Sequence, residues 1–104
     1  MARIVISAFA DTDADEILAH LQSEAGYVTA LKYERSFDRL YDRLARFPES
    51  GAPRPALGFN IRMAVISPYI VFYRYAASEN VAEIIRILHG SRQITRKLLS
   101  TRSQ

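Results

Sequence analysis

A chain of 104 residues that is 49% hydrophobic has the size and apolar content of one domain with one core. It contains no cysteine, which excludes disulfides and thiolate zinc sites, and its formal charge is only +3. No apolar run approaches the ~18 residues of a membrane-spanning helix, so no membrane role is expected. The opening MARIVISAFADTD lacks the long apolar stretch and small-residue cleavage site of a signal peptide, and a cytoplasmic protein is expected.

Residues 3–9, RIVISAF, are apolar and rich in β-branched side chains and predict a strand. DTDADE (11–16) predicts a helix start. Asp11 or Asp13 can cap free amides there, and the clustered acids suit the positive end of a helix dipole. Ala14, Ile17, Leu18 and Leu21 then recur at helical spacing, and Gly26 ends the helix. A second helix is predicted over Val28–Arg46. Ala30, Tyr33, Phe37, Leu40, Tyr41, Leu44 and Phe47 form its apolar stripe. Its other face, from Lys32 to Arg46, carries opposite charges at i,i+3 and i,i+4. The short link at Gly26 makes the two helices a hairpin. Pro48 stops the second helix, and PESGAPRP (48–55) is the longest loop signal.

Three strands follow, over 60–66, 69–76 and 81–89. Their short links require antiparallel neighbours. In the last strand Val81, Glu83, Ile85, Ile87 and His89 are expected on one face, and Ala82, Ile84, Arg86 and Leu88 on the other. Both faces carry large aliphatics, so the strand is expected to be central. Gly90 breaks it, and SRQITRKLLS (91–100) predicts a short basic helix capped by Ser91. The order defines an α+β domain over 1–104: an N-terminal strand, a helical hairpin on one face of a sheet, an antiparallel meander and a C-terminal helix.

Charge is unevenly distributed. Residues 1–24 hold Asp11, Asp13, Asp15, Glu16 and Glu24 against Arg3, whereas 84–104 hold Arg86, Arg92, Arg96, Lys97 and Arg102 and no acid. Lys32 and Lys97 are the only lysines among 14 basic residues. Arginine codon bias explains this, and so does an acidic protein or nucleic-acid partner. His89 is expected to order the turn at Gly90 through hydrogen bonds, and His20 to be solvated. Their distance in sequence speaks against a metal site. The chain shows no Gly-rich phosphate loop and no Ser-His-Asp spacing.

LARFPESG (44–51), Arg62 early in the first meander strand, YIVFYRY (69–75) and VAEIIRILHGSRQ (81–93) together carry a resemblance to the ParE toxins of the RelE/ParE toxin–antitoxin superfamily. It covers nearly the whole chain. It implies the toxin of a type II toxin–antitoxin system that acts on DNA gyrase and is neutralised by a ParD-like antitoxin in a hetero-oligomer. DNA would be reached only through the antitoxin, and no cofactor is implied. The alternative branch is a RelE-type ribosome-dependent mRNA endonuclease. Arg62 and Arg92 sit where that branch's two arginines would sit. Its tyrosine, however, falls at Leu98, and KLLSTRSQ (97–104) holds no Tyr, His, Asp or Glu, so no catalytic residue is expected. A free nucleic-acid binder using the basic tail is a third reading. Tyr33, Phe37, Leu40, Tyr41, Leu44, Tyr73, Arg74 and Arg86 are the candidate antitoxin contacts, although most of the aromatic stripe is expected to be core. Arg62, Arg92, Arg96, Lys97, Leu98 and Leu99 are the candidate target contacts, on a helix expected to contribute little to the core.

Overall fold

A computed structural model describes residues 1–100; Arg102 and the rest of 101–104 lie outside the described residues. The first strand, β1 (Arg3–Ile6), is shorter than the apolar run predicts, because Ser7 opens helix α1 (Ala8–Ala25). Ser7 Oγ accepts the amide of Ala10 at 3.0 Å and donates to the carbonyl of Ile85 at 2.9 Å. One hydroxyl thus caps the helix and ties its start to the sheet. The cap is Ser7 and not Asp11 or Asp13, and Asp13 is buried within the helix.

A single residue separates α1 from α2 (Tyr27–Arg46). Gly26, at φ +93°, closes α1 through its amide to Gln22 and begins α2 at once. That reversal requires a left-handed backbone, which glycine adopts without strain. The loop signal after Pro48 hides two short elements, the bridge β2 (Ala52–Pro53) and a 3₁₀ turn (Pro55–Leu57). The meander is β3 (Ile61–Ile66), β4 (Tyr69–Ala76) and β5 (Val81–His89).

The sheet order is β1-β5-β4-β3-β2, with β1 parallel to β5 and the other neighbours antiparallel. β5 therefore has a strand on each side along its first half. Its register against β4 shifts: Phe72 faces Arg86 while Tyr73 faces Ile84. Ile85 is the extra residue of a bulge, and a bulge reverses the alternation beyond it. Ala82, Ile84 and Ile87 consequently share one core, and Ile85 and Leu88 pack in the other. The uniform face assignment expected for this strand holds only up to Ile84.

The main core lies between the hairpin and the sheet. Phe37, Leu40 and Leu44 of α2 meet Tyr69, Val71, Tyr73, Ile84 and Ile87 there. The opposite sheet face carries a second core of Leu57, Ile61, Phe72, Leu88, Leu98 and Leu99. Helix α3 covers only Arg96–Ser100, and it is capped by Thr95, whose Oγ1 accepts the Leu98 amide at 3.1 Å. Ser91 does not cap it. Leu98 and Leu99 are buried, which contradicts both their expected exposure and the small structural part expected of this helix. Burying a leucine side chain contributes about 1.5–3 kcal/mol. No described helix is long and apolar enough to cross a membrane.

Candidate functional site

Most of the candidate antitoxin contacts close the chain's own interior. Phe37, Leu40, Leu44 and Tyr73 are each at most 3% exposed, so their side chains present no surface to a partner. Tyr33 and Tyr41 are half-buried at the rim of that core. Tyr33 donates to the Ser67 carbonyl at 3.2 Å and meets Tyr69 edge to face. Tyr41 lies in a small crevice beside Asp11 and Asp38. Burial, then Asp38 and Asp11, push its phenol up to about 12.

Arg86 is buried but not unpartnered. Its Nε and Nη2 donate to the two carboxylate oxygens of Asp13 at 2.7 and 3.0 Å, and Nη1 donates to the Leu98 carbonyl at 2.8 Å. Asp13 also accepts the Ile87 amide at 3.0 Å. β1 ends opposite Ile84, so the carboxylate takes over the β5 edge that the strand leaves open. Arg86 joins α1, β5 and α3, and the partner acid is Asp13, not Glu83.

Tyr73 Oη donates to the Pro48 carbonyl at 2.9 Å and accepts the Gly51 amide at 2.8 Å. Burial raises its phenol, partly offset by that amide and by Arg62. A Cβ at Gly51 would lie 2.8 Å from the Met63 carbonyl, so the loop after α2 closes on the sheet only with glycine there. Arg62 secures the same loop: Nη1 donates to the carbonyls of Glu49 and Gly51, both at 2.8 Å.

The candidate target residues divide between two ends of the meander. Arg62 and Arg96 line one hollow, whereas Arg92 lines a cavity of about 350 Å³ between α1 and the end of β5. Arg62 faces Tyr73, which faces Ile84, and Arg92 follows the strand end at His89. The matching stretch of β4, Tyr73 to Tyr69, is four residues long, which places these strand positions roughly 13 Å apart along the sheet. The Arg62 guanidinium is moreover turned back on its loop. Arg96 and Lys97 are exposed on α3.

The α1–β5 cavity also brings together Glu16, His20 and His89, a grouping that the 68 residues between the two histidines conceal. His89 is exposed and orders its turn, as expected. Nδ1 accepts the Ser91 amide at 3.0 Å and lies 2.8 Å from Ser91 Oγ, and the ring meets Tyr69 edge to face. Phe59, 82% exposed at the tip between the 3₁₀ turn and β3, escaped sequence reasoning. The predicted strand starts one residue later, at Asn60, and the only signal is the flanking Gly58 and Asn60.

A small sheet backed by a helical hairpin on one face and a short C-terminal helix on the other is the scaffold of solved toxin–antitoxin proteins. A chain of the chromosomal ParDE toxin–antitoxin system from P. aeruginosa superposes with TM-score 0.71 at 23% identity, over 86% of this chain and 96% of that one. A chain of the RelBE2 toxin–antitoxin complex from Mycobacterium tuberculosis superposes with TM-score 0.58 at 21% identity, over 85% and 96%. No curated protein matches the sequence. The profile of the ParE toxin of the type II toxin–antitoxin system parDE matches residues 4–94. The chain belongs to the ParE toxin family.

Proposed function

We infer that this toxin acts in the cytoplasm by blocking DNA gyrase through a surface contact, and that a ParD-like antitoxin neutralises it. Family membership supports an antitoxin partner. The observation that carries the surface reading is the separation of Arg62 from Arg92. RNA cleavage by a 2′-hydroxyl needs cations converging on one phosphate, with a base and an acid beside it. Here the two arginines line different hollows, and Arg62 is engaged with backbone carbonyls. The exposed cations Arg92, Arg96 and Lys97 are the contacts assigned to the target. Purified toxin should inhibit gyrase supercoiling, and the product of the adjacent small reading frame should relieve that inhibition. Undiminished supercoiling at saturating toxin would refute the gyrase target.

One observation favours the endonuclease reading. The α1–β5 cavity places two carboxylates, two imidazoles and the Arg92 guanidinium around one space, groups able to transfer protons and hold a phosphate. Primer extension on messenger RNA after induction separates the two readings. Codon-phased cleavage at the ribosome would establish the second.

A further inference from the structure

Gly58, Phe59 and Asn60 form a sharp tip. Gly58 at φ +143° and Asn60 at φ +58° carry Phe59 away from both cores. Arg74 on β4 fixes the tip from behind, its Nε donating to the Phe59 carbonyl at 3.0 Å. The ring is thus held outward by the backbone. Beside it lie two adjoining hollows of about 460 Å³ each, sharing Gly58, Phe59, Ile61 and Arg96. Leu57, Ile61, Ile85 and Leu99 give an aliphatic floor, Arg74 and Arg96 stand at the wall, and among the described residues no acidic side chain lines either hollow. Among the described residues Arg74 and Arg96 form no ion pair. Residues 101–104 add Arg102 and no acidic side chain.

We propose that this groove seats an acidic segment of the antitoxin, one large apolar side chain packing against Phe59 and carboxylates meeting Arg74 and Arg96. The proposal rests on the toxin reading above. An apolar floor with cations at its wall matches a peptide that alternates apolar and acidic side chains, since arginine binds carboxylates in a forked geometry. A platform for single-stranded nucleic acid presents successive aromatic faces, whereas Phe59 is the only aromatic ring among the described lining residues.

The test is calorimetric titration of the purified antitoxin into wild-type toxin, Phe59→Ser and Arg74→Glu, at low and high salt. Each variant should bind about tenfold or more weakly, as loss of an interface anchor does. Arg74→Glu should also flatten the salt dependence seen with the wild type. Melting temperature checks that each variant folds. Should Arg74→Glu not fold, Phe59→Ser decides the matter, because its side chain is outside both cores. Wild-type affinity in the folded variants would overturn the groove and leave the toxin reading standing. An antitoxin that does not bind the wild-type chain would overturn both. Lost toxicity at unchanged antitoxin affinity would assign the groove to the cellular target, and displacement of the antitoxin by an oligonucleotide from this groove would assign it to nucleic acid; either overturns the proposal.

Discussion

Replacing Arg86 with methionine keeps an unbranched apolar stem and removes the guanidinium. Arg86 and Asp13 expose only 3% and 5% of their side chains, so Asp13 is left as a buried carboxylate. It keeps the Ile87 amide at 3.0 Å and loses the two donors at 2.7 and 3.0 Å. Breaking a buried pair from one side costs about 3–5 kcal/mol. That is a large part of the ~5–15 kcal/mol that holds a domain together. At about 4 °C or more per kcal/mol for a chain of this size, melting should fall by at least ~12 °C. Adding Asp13→Leu removes the stranded charge but orphans the Ile87 amide, at about 1–3 kcal/mol. The double variant should therefore recover part of the loss and stay below wild type. Urea denaturation followed by circular dichroism measures all three proteins. An Arg86→Met protein within ~1 kcal/mol of wild type, or a double variant no better than the single, would refute this account of the pair.

Tyr73→Phe strips a buried hydroxyl from the Pro48 carbonyl and the Gly51 amide and should cost about 1–3 kcal/mol in the same denaturation assay. Tyr41 is held protonated in the fold, its phenol raised from 10.0 to about 12. The stability this represents is present in full below pH ~10 and lost as pH rises through about 12, so Tyr41→Phe should flatten the alkaline fall in melting temperature across that window. Leu99→Ala opens the second core and should cost about 2–5 kcal/mol in urea denaturation. Charge reversal of the exposed Arg96 and Lys97 to glutamate should leave melting nearly unchanged and reduce gyrase inhibition in a graded way; a fully active charge-reversed toxin would remove α3 from the target surface.

The parts of the fold that repeat were legible in the sequence. The stripe from Ala30 to Leu44 marked α2, and the short links at Ser67–Pro68 and 77–80 dictated the meander. What was not legible depends on single residues acting over long distances. Asp13 looks like one more acid at a helix start, and only the folded chain shows that it meets Arg86. The bulge at Ile85 leaves no mark in an aliphatic run, so the faces of β5 could not be assigned beyond it. Leu98 and Leu99 lie next to three cations and read as an exposed basic helix until the sheet's second face is seen to need a cover. His20 and His89 share a cavity because β5 pairs parallel with β1 and continues past its end beside α1, a long-range pairing that no short-range pattern announces. Phe59 stands outside every periodic segment, so no pattern marks it.

The way β5 is placed also bears on when the chain can fold. It lies between the first strand and the rest of the meander, yet among the described strands it is the last to leave the ribosome. The Ser7–Ile85 and Asp13–Arg86 bonds close loops of 78 and 73 residues. Such long closures slow folding, because the chain loses its freedom before the contacts form. The helical hairpin has no complete sheet to bury its apolar face until residues 81–89 emerge. During synthesis the toxin therefore remains without its finished surfaces until β5 and α3 are made. A chain interrupted before β5 would present neither the Phe59 groove nor the α3 cations, and would instead expose an aromatic stripe suited to capture by chaperones or proteases.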